Sequence, residues 1–61
     1  MAHARIKIRD GWEGAGRTGD LYMVIRPARG GHSGPEWSVV MWDDEVEIEP
    51  DLHKTAGLEP V

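Results

Sequence analysis

The chain has no cysteine, no phenylalanine and a single tyrosine among its 61 residues. Without cysteine there is no disulfide, no thiolate metal site and no thiol nucleophile. No run approaches the roughly 20 apolar residues that a membrane-crossing helix needs. The opening MAHARIKIRD lacks the apolar stretch of a secretory signal. The expected setting is therefore cytoplasmic and away from membranes. No segment sustains a 3.6-residue apolar period, so no substantial helix is expected. A chain this short makes one domain, residues 1–61. A domain of roughly 60 residues buries only about 60% of its unfolded surface. Lacking a staple, it must rely on an efficient core, on self-association, or on both.

What is present is charge, unevenly spread. The formal net charge is −4, which disfavours general nucleic-acid binding. Residues 1–30 carry six bases against three acids, whereas residues 31–61 carry eight acids against one base, Lys54. In an antiparallel meander such halves lie against one another and neutralise across strands. The alternative is a bipolar surface that steers a partner.

Five short segments read as strands. RIKIR, from Arg5 to Arg9, alternates strictly, with Ile6 and Ile8 on one face. DLYMVIR, Asp20 to Arg26, places Leu21, Met23 and Ile25 on one face and Tyr22 and Val24 on the other, stopped by Pro27. RGGHSGPE, Arg29 to Glu36, is a loop by its three glycines and proline. WSVVMWD, Trp37 to Asp43, puts Trp37, Val39 and Met41 opposite Ser38, Val40 and Trp42, so one of the two tryptophans is core and the other partly exposed. After a tight DDE turn, EVEIE, Glu45 to Glu49, is the fourth strand with Val46 and Ile48 inward. Pro50 ends it, DLHKTAG forms one 3₁₀ turn, and LEPV closes the set with Leu58 inward. Short, evenly spaced strands in a small chain argue for an all-β barrel or sandwich, since a flat sheet would leave long edges and one naked face.

Gly14, Gly16 and Gly19 spell G-x-G-x-x-G. A dinucleotide-binding turn needs a strand directly before the first glycine and a helix after the last, whose N-terminus holds the pyrophosphate. Here DLYMVI follows, a strand by composition and period. The glycines are expected instead to serve positive φ and close backbone approach in a hairpin loop, with a small anion nest near Arg17 as the minor alternative.

The segments DGWEGAGRTG, VMWDDE and KTAGLEPV, set within this strand order, resemble the SH3-like barrels of small bacterial, phage and gene-cassette proteins. That resemblance, over about residues 4–61, implies a five-stranded SH3-like barrel with one short 3₁₀ turn before the last strand; it implies no particular activity. The chain lacks the Ala-Leu-Tyr-Asp-Tyr run and paired tryptophans of peptide-binding signalling domains. It also resembles, distantly, the type II dihydrofolate reductases: Val46-Glu47-Ile48-Glu49 stands where their Val-Gln-Ile-Tyr motif would fall. Those enzymes bind two anionic ligands in a pore, which Glu47 and Glu49 would repel.

Other constellations are sparse. His3, His32 and His53 have no metal-ligand spacing. The acidic run of Asp43, Asp44, Glu45, Glu47, Glu49 and Asp51 has no EF-hand spacing and suits a solvated, aggregation-blocking edge or a basic partner. No serine sits in a nucleophile elbow. No catalytic residue, cofactor or metal is expected. The leading expectation is a non-enzymatic module that binds a protein partner or itself through Trp12, Tyr22, Trp42, Glu47 and Glu49, since aromatics concentrate at interfaces. Trp12, in the long first loop, is placed to fold over a barrel mouth. The alternatives are nucleic-acid binding through Arg5, Lys7, Arg9 and Arg17, and a reductase.

Overall fold

The computed structural model describes residues 3–26, 34–46 and 49–61. The protein is all-β. Among the described residues five strands, β1 (Ala4–Ile8), β2 (Thr18–Ile25), β3 (Trp37–Trp42), β4 (Asp51–Lys54) and β5 (Leu58–Pro60), form one antiparallel sheet in the order β4-β3-β2-β1-β5. A 3₁₀ turn, Thr55–Gly57, lies between β4 and β5. Among the described residues no helix is long and apolar enough to cross a membrane.

The sheet curls strongly. Five strands laid flat would hold the outer two about 19 Å apart, yet β4 and β5 are joined by three residues of 3₁₀ turn, which advance only about 6 Å. The turn is tied to both flanks of the sheet: Thr55 N–H donates to the Glu36 carbonyl beside β3 at 3.0 Å, and Arg9 N–H donates to the Gly57 carbonyl from the end of β1 at 2.8 Å. No ladder joins β4 to β5, so the sheet remains open.

The concave face holds the core of Ile6, Ile8, Val40, Trp42 and Leu58, with Leu21 packed against it. The alternation in β1 behaves as its sequence dictates: Ile6 and Ile8 are buried, while Arg5 and Lys7 face out. β3 also follows its pattern, with Ser38, Val40 and Trp42 buried and Trp37, Val39 and Met41 half-buried on the opposite face. Leu58 is inward, opposite Ile8.

β2 departs from simple alternation. Leu21 pairs with Val40, but Met23 pairs with Val39, so Tyr22 is an extra residue in a β-bulge. One inserted residue flips every later side chain to the other face. Leu21 therefore faces the core, Met23 and Ile25 face away and are 58% and 45% exposed, and Val24 returns inward opposite Ser38. The expectation that Leu21, Met23 and Ile25 share one face is corrected by this bulge.

The fourth strand also lies elsewhere than expected. It begins at Asp51, and Val46 is 98% exposed rather than inward. Glu47 and Ile48 lie outside the described residues, as do His32 and most of the Arg29–Glu36 loop. The physical reason sits at the end of β3. Asp43 N–H donates to the Thr18 carbonyl, Glu45 N–H donates back to the Trp42 carbonyl, and the Asp43 carboxylate is held by Arg5 and Thr18. The chain is thus turned toward β1 and β2 instead of doubling back at once along β3. Only the last part of the expected 3₁₀ segment, Thr55–Gly57, is 3₁₀; residues Asp51–Lys54 belong to the sheet.

The glycine loop between β1 and β2 answers to backbone conformation. Gly11, Gly14 and Gly16 have φ near +90°, +80° and +91°, a region that side-chain-bearing residues avoid. Gly19 sits within β2, where an added Cβ would lie 2.5 Å from the Met41 carbonyl oxygen. A strand, not a helix, follows it, as the sequence requires.

Candidate functional site

Among the described residues a cleft opens beside the core, with a volume of about 320 Å³. Its walls come from three elements. Ile8 ends β1, Glu13, Gly14 and Arg17 belong to the β1–β2 loop, and Trp42, Asp51 and His53 come from the β3–β4 side. Register explains the last group. Asp51 pairs with Val40 and His53 with Ser38, so both point to the concave side, while Leu52 and Lys54 point away.

The aromatic wall is continuous. The His53 ring centre lies 5.7 Å from that of Trp12 and 5.9 Å from that of Trp42, edge-on to the latter. Gly57 lets Trp12 come down: a Cβ there would meet the Trp12 ring at 2.7 Å and His53 Cε1 at 2.8 Å. Trp12, 37% exposed, lies over the 3₁₀ turn. The Trp42 indole N–H donates to Asp51 Oδ2 at 2.8 Å. His53 Nδ1 lies 2.9 Å from the Lys54 carbonyl oxygen; a carbonyl only accepts, so Nδ1 carries the hydrogen.

A cation already lies against this wall. Arg17 Cζ is 4.6 Å from the centre of the Trp42 ring. Its Nε donates to both Asp44 carboxylate oxygens, at 2.9 and 3.0 Å, and its Nη2 donates to Glu45 at 3.2 Å. The Asp44 hydrogen bond, then the nearby charges, hold this guanidinium above its usual range and the Asp44 carboxyl below its own.

The expected partner residues do not form one patch. Trp42 is buried, 4% exposed, with its ring toward the core and cleft. Trp12 packs on His53 and over Gly57, outside the residues that line the cleft. Tyr22, 49% exposed, lies at the β2 bulge and stacks on His3 with ring centres 3.9 Å apart. Glu49 is exposed, and Glu47 lies outside the described residues. The four bases are engaged by carboxylates: Arg5 with Asp20 and Asp43, Lys7 and Arg9 with Glu59 at 3.7 and 3.9 Å, and Arg17 with Asp44 and Glu45. Most of these pairs join the basic half of the chain to the acidic half, the mutual neutralisation expected from the charge asymmetry. Among the described residues no group of three or more His, Asp or Glu side chains is gathered to hold a metal ion.

The sequence pattern sets Asp51 in the acidic run and His53 in the 3₁₀ segment, with no link from either to Trp42. The signal was present: Asp51-Leu52-His53-Lys54 alternates with period two, and a strand reading would have put Asp51 and His53 on one face.

No family model, curated protein or solved structure matches the chain.

The convex face is the second notable surface. Met23, Val39 and Leu52 stand in one row across β2, β3 and β4, and Ile25 and Trp37 pair in the next row. Leu52 is 55% exposed. Charges bound the patch without surrounding it with one sign: Arg5 is paired with Asp20 and Asp43, and Arg26 reaches Glu36 at 3.9 Å.

Proposed function

We propose that this chain is a non-enzymatic interaction module on an SH3-like barrel, and that its first partner is a second copy of itself. The row Met23–Val39–Leu52 carries the reading. Among the described residues five apolar side chains make the buried core, while on the convex face Met23, Ile25 and Leu52 are exposed and Trp37 and Val39 half-buried. A domain this small gains most from covering such a face. Contiguous exposed apolar residues on a polar-rimmed sheet are the usual mark of an interface. A two-fold contact is self-complementary by nature, and Arg5 and Arg26 at the two ends of the patch are each paired with a carboxylate. The strand order and the tight link between the outer strands support the SH3-like barrel; the small bacterial, phage and gene-cassette proteins of that architecture are the relatives the sequence resembles.

Sedimentation at micromolar concentration tests this. A dimer is expected, and Met23→Glu or Leu52→Glu should give a monomer with an unchanged far-UV spectrum, because both positions are exposed. A strictly monomeric wild-type species would overturn it.

A further inference from the structure

We propose that the cleft between the β1–β2 loop and β4 receives an arginine side chain of a partner polypeptide, in exchange for Arg17. This surface is on the opposite face of the sheet from the apolar row and stands independently of self-association. Three observations converge on a cation. The wall carries two aromatic rings, Trp42 and His53, with Trp12 packed behind His53, and aromatic faces attract guanidinium groups. The rim is negative: Glu13 and Asp51 line the cleft, and Asp44 and Glu45 stand behind Arg17. Against these four carboxylates the site sets one guanidinium. Finally, the chain itself demonstrates what the wall accepts, because Arg17 lies over Trp42 at 4.6 Å, held edge-on by two carboxylates.

Arg17 is a replaceable occupant rather than a fixed part of the core. Its side chain is 33% exposed, and both carboxylates that hold it are on the surface, with exposures of 60% and 38%. Exposed pairs of this kind are held weakly and exchange readily. An incoming arginine could take the same two carboxylates and the same ring face, while Glu13 and Asp51 offer acceptors to its remaining N–H groups. Arginine suits the site better than lysine, since its planar guanidinium both stacks and donates in a fork. The volume of about 320 Å³ admits a side chain of this size with its flanking backbone.

The test is an NMR titration of the full chain with the tripeptide Gly-Arg-Gly, against Gly-norleucine-Gly as the uncharged control. Shifts are expected at the Trp42 indole N–H and the Gly14 amide with the arginine peptide, and none with the control. Glu13→Gln, at an exposed position, should weaken binding about two- to fivefold. Arg17→Gln removes the internal competitor and leaves Asp44 and Glu45 unpaired, so it should tighten binding by about two- to fivefold. A Met23→Glu background gives the same shifts if the cleft works without the convex face. Equal binding of the norleucine peptide, absence of localised shifts, or an Arg17→Gln chain that keeps its wild-type spectrum dispersion yet binds no tighter would each overturn the proposal. If Arg17→Gln loses its fold, the Glu13→Gln comparison decides alone: unchanged affinity there sinks the idea.

Discussion

The Trp42 indole nitrogen donates to Asp51 across the strand pair at 2.8 Å. Trp42 is in the core and Asp51 is the first residue of β4, so the bond fixes where the returning chain joins the sheet. Asp51 also accepts from the Leu52 N–H at 2.9 Å through its other oxygen, which sets the carboxylate's orientation. Removing the acceptor should therefore loosen β4 specifically. Asp51→Ala is expected to cost about 1 kcal/mol, whereas Asp51→Asn, which keeps an acceptor oxygen, should stay within a few tenths. Urea unfolding gives the totals; hydrogen exchange should show the β4 amides losing protection before those of β1 and β2. Equal loss in both variants would assign the effect to charge instead of the hydrogen bond.

Gly16 and Gly19 are glycines for different reasons, and substitution separates them. At Gly16 an added methyl would touch nothing within 4 Å, but φ is +91°. Gly16→Ala should cost about 1–2 kcal/mol of backbone strain. At Gly19 φ is ordinary for a strand, yet the methyl would stand 2.5 Å from a backbone oxygen and 3.0 Å from Val40. Backbone cannot swing aside, so β2 and β3 must part. Gly19→Ala is expected to cost about 1–3 kcal/mol by overpacking and to shift the Val40 and Trp42 resonances, which Gly16→Ala should leave in place.

Ser38 is fully buried and bonds Thr55 at 2.7 Å, hydroxyl to hydroxyl. The pair clamps β3 to the 3₁₀ turn where the sheet curls over. Ser38→Ala leaves the Thr55 hydroxyl without this partner and should lose about 1–3 kcal/mol. Changing both, Ser38→Ala with Thr55→Val, removes the unsatisfied group along with the bond. The double variant should then cost clearly less than the sum of the singles, a coupling read from a thermodynamic cycle. Additive losses would mean that the two hydroxyls act separately.

Much of this fold is legible in the sequence where alternation runs undisturbed. Arg5-Ile6-Lys7-Ile8 and Trp37 to Trp42 each declare a face, and tertiary structure respects both. The glycine loop is legible too, because the residues after Gly19 cannot begin a helix. Two features are not. The bulge at Tyr22 has no local signature, since Leu-Tyr-Met-Val-Ile is equally good β sequence in either register; the choice is made by pairing with β3. The location of β4 depends on the turn after Trp42, where Asp43 N–H bonds the Thr18 carbonyl and its carboxylate meets Arg5, a partner 38 residues distant. Val46 and Ile48 look like a strand in isolation, and nothing nearby in sequence says that Val46 is left in water. The cleft inherits this difficulty: once β4 moves to Asp51, His53 becomes an inward residue, and the aromatic wall exists only because of that shift.

Asp43 gives the acid limb of stability a specific shape. Its carboxylate accepts from both terminal nitrogens of Arg5 and from Thr18 Oγ1. The Arg5 hydrogen bonds first, then that of Thr18, hold its carboxyl down at about 2, from an ordinary value of 3.8. A carboxyl whose pKa is depressed by folding contributes stability that is fully present above its unfolded value and is lost as pH falls through the folded one. The contribution should therefore be complete above about pH 4 and gone below about pH 2. Both partners are exposed, so salt screens the attraction. Unfolding by urea at a series of pH values should show wild type losing stability between about pH 4 and pH 2 more steeply than Asp43→Asn, which accepts hydrogen bonds but does not titrate. The gap between the two curves should narrow as pH falls and shrink at all pH values in molar salt. Parallel curves through that window would show that Arg5 and Asp43 are neighbours without thermodynamic coupling.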